Sequence, residues 1–444
     1  MLCGVIVFGC SCNGENSSSP SESVDNQLIE QLLSEGYTKE VGNNMFWEKE
    51  DVLHEQEQFV SQDTSIRIYN YAPSILQEDE NTRYVYYCSN RYSSDQLKEF
   101  EYLGVSPAQQ GKYWDYVDEA GKNRITDYVA FRKGVRVGND WYWSEKSYVL
   151  APTIGSLTEG EQTCDPNVIK GEFKYNGTTY SYLMSYLACS TRDNTYNHVC
   201  VAVANKPEGP WIKCDDINPL VEYTSEGLPE NMLKTYLWGY GQPSMISVDK
   251  KGKVLMFYSS ICPYQNENSG AWGHATNTTV TRYDLSNLND VKIDYTKRGV
   301  SYHGIKTPSG DDIDCLVNGD FAYDPTTKRI YVIVDKATLN YVQDKSLSEN
   351  AQIGDLFRDY PTDWRYKGIK WVTVGSAVPQ GNKYYTTAHN ACVIRDAYGW
   401  IYNPNNVEVA VTGALSENNY KRVFATADSH IWTFRIMRYA FDIV

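Results

Sequence analysis

The sequence predicts an all-β chain folded as a five-bladed β-propeller, preceded by a short N-terminal helix and a lipoprotein leader. Three observations predict it. The 444 residues include 37 Tyr, 12 Phe and 11 Trp, a balance that suits pleated sheets better than helices. Short aromatic or aliphatic runs bounded by turn residues recur along the chain, at 83–87, 182–186, 254–258 and 329–334. A small or polar tripeptide also recurs immediately before an apolar strand, at Ala72-Pro73-Ser74-Ile75, Asp165-Pro166-Asn167-Val168, Gln242-Pro243-Ser244-Met245, Gly319-Asp320-Phe321 and His389-Asn390-Ala391-Cys392. Counted from Ala72, Asp165, Gln242, Asp320 and His389, the intervals are 93, 77, 78 and 69 residues. Five units of this length, each of about four strands, suit a propeller. One such sheet cannot bury both of its faces, whereas a closed ring can. A β-sandwich with long decorations is the structural alternative, but it would not produce the recurring strand opening.

The elements follow in order. Residues 1–12 form a short apolar run ending in small residues and cysteine, too short to span a bilayer as a helix. The run looks like the tail of a bacterial lipoprotein signal peptide, with Cys10 or Cys12 as the lipidated residue. Residues 13–60 read as a polar tether followed by a helix over Asp25–Lys39, with Leu28, Ile29, Leu32 and Leu33 at helical spacing and Gly36 near its end. Residues 61–444 hold the strands. Their turns carry Asn176-Gly177, Asp249 to Gly252, Asp324-Pro325 and Asp396 to Gly399, and Asn-Gly and Asp-x-x-Gly favour the left-handed backbone that hairpins need.

The net charge of −15 and the absence of a long Lys/Arg run argue against nucleic acid or an anionic membrane surface as a partner. Contact with a membrane is expected only through the lipid anchor, of a monomer at the outer-membrane surface or in the periplasm. The eight cysteines from Cys88 onward form no CxxC pair and no Cys/His cluster with zinc spacing, so a structural zinc site is not expected. Cys189 and Cys200 could face each other across a hairpin, or the thiols could be buried unpaired.

The strand openings, in this order, resemble the five-bladed clan that includes glycoside hydrolase family 43 and its relatives acting on fructans and arabinans. In that family the first blade opens with Asp-Pro-Ser, the second with Asp-Pro and the third with Glu-Gly-Pro, and the fifth carries Gly-His followed by an apolar strand. The corresponding stretches here are Ala72-Pro73-Ser74, Asp165-Pro166, Gln242-Pro243 and His389-Asn390. Pro207-Glu208-Gly209-Pro210-Trp211 is similar to the clan's blade-closing Gly-Pro-Trp. The resemblance implies a pocket role for Asp165 and places Ala72 and Gln242 where the family has its general base and general acid. It also implies that His389 sits near the axis, where some members hold a cation or water.

Glycoside hydrolysis needs two carboxyl groups flanking the bond. Asp165 and Asp320 are therefore the expected catalytic pair. Asn70, Gln242, Asn318, His389 and Asn390 are candidate partners for sugar hydroxyls, since amides both donate and accept. Trp238, Tyr240 and Trp272 are candidate stacking platforms. Asp127, Glu145, Glu222, Glu226 and Glu230 read as surface charge. No cofactor is required on this reading, and at most one axial calcium or sodium ion is expected near His389. The leading function is hydrolysis of an oligosaccharide or polysaccharide. A non-catalytic carbohydrate-binding propeller and a structural protein of the cell surface are the rivals.

Overall fold

The computed structural model describes residues 20–46, 69–90, 127–153, 155–190, 195–223, 238–265, 269, 272–343, 351–362, 365–377, 385–415 and 434–443. Their strands form five largely antiparallel sheets in a β-propeller arrangement. The first sheet runs Asn70–Asp79, Thr82–Asn90, Asp127–Val137 and Asp140–Trp143, with Ser147–Leu150 beside the third strand. The second is Gln162–Tyr175, Thr178–Cys189, His198–Ala204 and Ile212–Lys213; the third is Gly241–Ser247, Lys253–Gln265, Trp272–Asp284 and Lys292–Arg298. The fourth is Asp320–Asp324, Arg329–Ile333, Thr338–Gln343 and Val372–Ser376.

These four are complete blades. Where the repeat predicts a fifth of equal size, the described residues give a three-stranded sheet, Tyr385–Val393, Asn406–Leu415 and Arg435–Asp442. The N-terminal segment lies along its outer edge: the Met45 N–H donates to Ile436 O and the Arg438 N–H to Asn43 O.

Neighbouring residues of each inner strand face opposite sides of the sheet. Ile75 packs between the fifth and first sheets and Leu76 between the first and second. Val168 and Ile169 divide in the same way, as do Met245 and Ile246. That is why the strands read as continuous apolar runs rather than alternating ones: both faces are buried. The Phe257 and Phe321 rings, 3.8 Å apart and nearly parallel, fill the gap between the third and fourth sheets. Trp211 of the Gly-Pro-Trp segment meets Tyr86 edge-on, joining the second sheet to the first. At the turn after Gln162–Tyr175, Asn176 and Gly177 both take positive φ, the geometry a two-residue hairpin requires.

The N-terminal helix covers Pro20–Ser34 rather than Asp25–Lys39. The chain leaves it at Gly36, whose φ is 86°, and Thr38–Lys39 pairs with Trp143 and Tyr142 as an added strand. The free edge of that strand offers backbone bonds that a longer helix would forgo. Leu32 is buried against Val137 and Tyr142, while Leu28 and Leu33 are exposed. Cys10 and Cys12 lie outside the described residues.

A buried ion network ties the last sheet to the first. Glu408 on the fifth sheet accepts from Arg83 on the first and from Arg438, which also pairs with Glu40 of the N-terminal segment. The Arg83 guanidinium lies 4.2 Å from the Trp141 ring centroid. Burial pushes the Glu408 carboxyl up, but the two guanidiniums outweigh it and hold the group below its ordinary range. The Glu408→Gln substitution leaves buried guanidinium charge uncompensated and should lower the unfolding free energy by about 3 kcal/mol. The measurement is the urea midpoint at constant slope; an unmoved midpoint would mean that this network does not hold the ring closed.

Candidate functional site at the propeller axis

Each inner strand enters the ring through one non-glycine residue in the left-handed region: Ala72 at φ 49°, Asp165 at 47°, Gln242 at 44°, Asn318 at 51° and Asn390 at 38°. In four of the sheets the pairing register slips at this point, between Tyr71 and Ser74, Cys164 and Asn167, Gly241 and Ser244, and His389 and Ala391. A bulge of this kind turns a side chain out of the ladder. The five residues line one axial cleft together with Asp320. The equivalent positions in the fourth and fifth sheets are thus Asn318 and Asn390. Counting from Asp320 and His389 put the repeat two residues late in one sheet and one residue early in the other.

The residue two places further on ties each of the first four inner strands to the next. Ser74 Oγ accepts the Val168 N–H, Asn167 Oδ1 the Met245 N–H, Ser244 Oγ the Phe321 N–H and Asp320 Oδ2 the Val393 N–H, at 3.3, 2.9, 2.8 and 2.8 Å. Asp320 is the most heavily engaged of these groups. Its Oδ1 also accepts from Asn167 Nδ2 at 3.0 Å and Ser244 Oγ at 2.6 Å, and lies 3.4 Å from the buried Arg395 guanidinium.

Asp165 has a different environment. Its Oδ1 accepts from Asn390 Nδ2 at 3.1 Å, and Gln242 donates to the same carboxyl group. With their nitrogens turned toward Asp165, Gln242 Oε1 and Asn390 Oδ1 are buried without a hydrogen-bond partner. Burial pushes the Asp165 carboxyl up to about 7, with His389 pulling it down and the charge of Asp127 pushing it further up. His389 Nδ1 lies 3.0 Å from Asp335, and its ring stacks on Tyr71. Burial works against charge on His389, yet Asp335 outweighs it and raises the imidazole above its ordinary value.

Sequence reasoning missed Asp127, Tyr71, Asp335, Cys88 and Cys164. Asp127 is not surface charge: it is 2% exposed and accepts from the Tyr69 and Tyr71 hydroxyls, the latter at 3.0 Å. Burial pushes its carboxyl up to about 6. Strand direction is the signal that could have found it. The third strand of a blade runs parallel to the first, so its opening residue comes to the same end of the ring. Cys88, near the end of the second strand, arrives there for the same reason and meets Cys164 and Asp165 of the next sheet.

Of the other candidates, Asn70 is buried at the start of the first inner strand, where its N–H donates to Phe434 O. Tyr240 is core, packed with Tyr223 and Tyr258. Trp238 is half-buried against the apolar cluster around Leu187. Glu145 and Glu222 are exposed. The side chain of Trp272, and Glu226 and Glu230 entirely, lie outside the described residues.

No family model matches the chain, and no curated protein matches it. Among solved structures it is similar to a family 117 glycoside hydrolase of Zobellia galactanivorans, with 14% identity, 91% of this chain and 89% of that chain covered and a TM-score of 0.45. It is similar to the alpha-L-arabinofuranosidase of Podospora anserina in complex with cellotriose, with 10% identity, 92% and 96% coverage and a TM-score of 0.41. A GH43 enzyme from Xanthomonas citri complexed with xylose gives 12% identity, 84% and 87% coverage and a TM-score of 0.43. These likenesses concern the backbone arrangement alone.

The raised carboxyl of Asp127 has a consequence for stability. A carboxyl raised by folding takes stability away as pH climbs from the unfolded value near 4 through the folded value of about 6. The Asp127→Asn variant escapes that loss. Relative to wild type it should gain roughly 3 kcal/mol of unfolding free energy between about pH 4 and pH 7. A wild-type-minus-variant difference independent of pH would mean that Asp127 is not shifted.

Proposed function

We propose that the chain is a glycoside hydrolase that works on an oligosaccharide or polysaccharide in the axial cleft. The observation that carries this reading is the polar construction of the cleft. Two amides spend their N–H groups on one buried carboxyl and leave buried acceptor oxygens, Gln242 Oε1 and Asn390 Oδ1, without partners. Buried acceptors left unpaired are costly, and sugar hydroxyls are donors of the right kind to satisfy them. The ring in this reading has five blades, the three-stranded sheet being completed by the N-terminal segment along its edge.

Two carboxyl groups are required, and their surroundings assign different work to three candidates. Asp165 lines the cleft, and burial favours its protonated form, as a donor to the leaving oxygen needs. Asp127 is electrostatically coupled to Asp165 and reaches the same neighbourhood through the Tyr71 hydroxyl. It supplies the second carboxyl, as base. Asp320, bonded to three other sheets and facing Arg395, is a positioning residue that holds the inner strands in place.

The test is release of reducing sugar from a panel of plant, fructan and host glycans. Asp165→Asn and Asp127→Asn should each lower kcat by about 100-fold or more without changing the circular dichroism spectrum. Asp320→Asn should instead lower the melting temperature. Undiminished hydrolysis by the Asp165 variant would overturn the assignment. Binding of glycans without hydrolysis of any would put the carbohydrate-binding propeller in its place.

A further inference from the structure

We infer that Cys88, Cys164 and Asp165 form a binding site for a thiophilic divalent cation of the zinc class, open on one side to the axial cleft. The two sulfurs and a carboxylate oxygen all lie within 4.8 Å of one another, and all three residues are buried. Zinc bonds of about 2.3 Å to sulfur and 2.0 Å to oxygen, set at tetrahedral angles, place a sulfur and an oxygen ligand roughly 3.5 Å apart. Cys88 Sγ and Asp165 Oδ1 are 3.8 Å apart. The ligands come from two neighbouring sheets, Cys88 from the second strand of the first and Cys164 and Asp165 from the inner strand of the second. The bulge that turns Asp165 toward the axis therefore also completes the ligand set.

Two hydrogen-bond donors face the ligand atoms. The Asp165 N–H points at Cys88 Sγ, 2.7 Å away, and the Asn390 amide holds Asp165 Oδ1. Such donors orient ligands and stabilise the charge of a coordinated thiolate. Three protein ligands leave the fourth tetrahedral position for water or a substrate atom, the arrangement of an open zinc site. Cys189, in the same apolar cluster, instead directs its thiol to Thr195 O at 3.5 Å and is not part of the set.

Binding would proceed by loss of two thiol protons and of any proton on the Asp165 carboxyl as two metal–sulfur bonds and one metal–oxygen bond form, with no change of oxidation state. The site stands without the hydrolase reading, and only its consequence rests on that reading. A metal-bound Asp165 cannot pass a proton, so the cation should block turnover.

The experiment titrates the full-length reduced protein with cadmium(II) and follows thiolate-to-metal charge-transfer absorption, with zinc(II) affinity from competition with a chromophoric chelator. One equivalent should give a band that disappears in both Cys88→Ser and Cys164→Ser. Zinc affinity should fall about 100-fold or more in each, and Cys189→Ser should behave as wild type. Circular dichroism of the variants guards against unfolding, and Asp165→Asn, which keeps both sulfurs, should retain the band with weaker affinity. A band unchanged in both cysteine variants would overturn the proposal, as would a mass showing Cys88 and Cys164 joined as a disulfide in the protein as isolated. No arm uses substrate, so the outcome is independent of whether hydrolysis is found.

Discussion

Everything at the axis depends on one repeated hydrogen bond: the side chain two residues past the left-handed position accepting a backbone N–H from the next inner strand. Ser74, Asn167, Ser244 and Asp320 make it, linking five inner strands. Each bond is worth only about 1 kcal/mol net. Their importance is geometric, because they fix the rotation and height of five inner strands relative to one another. Breaking one would leave a buried N–H unsatisfied where the inner strands meet. Asp320 extends the belt inward: it links the second, third and fifth sheets and faces the buried Arg395.

The belt also explains why strained backbone persists beside it. A non-glycine residue in the left-handed region costs about 1 kcal/mol or more, and three of the five, Ala72, Asp165 and Gln242, stand before proline. Such a conformation survives where its surroundings over-determine it. Here the belt anchors the strand two residues later, and the register slip absorbs the extra residue. The result is five side chains aimed at one cleft from segments far apart in sequence. One is a carboxyl, three are amides and one is a methyl group. The chemistry of the cleft is therefore concentrated on the side of Asp165, where Asp127, Tyr71, His389 and Asp335 gather.

The sheets were legible in the sequence because inner-strand residues such as Ile75-Leu76 and Val168-Ile169 are apolar in pairs, as burial of both faces demands. The turns were legible because Asn176-Gly177 and the Asp-x-x-Gly segments encode backbone conformation directly. Register was harder. Asp320 and Asn318 both look like strand openings, and only the left-handed backbone of Asn318 marks it as the counterpart of Ala72, Asp165, Gln242 and Asn390. Asp127 was illegible for a different reason. A carboxylate next to an apolar strand reads as exposed unless its partners are known, and Tyr69 and Tyr71 lie more than fifty residues before it. Cys88 and Cys164 meet only through the packing of two sheets, which no spacing rule encodes.

In the proposed reaction a sugar sits in the axial cleft with its scissile oxygen at Asp165. A crystal structure of the Asp165→Asn variant, soaked with an oligosaccharide that the wild-type protein binds, tests it most directly. Sugar hydroxyls should lie on Gln242 Oε1 and Asn390 Oδ1, with a glycosidic oxygen within hydrogen-bond reach of residue 165. Sugar bound elsewhere on the protein, with the cleft left empty, would contradict it.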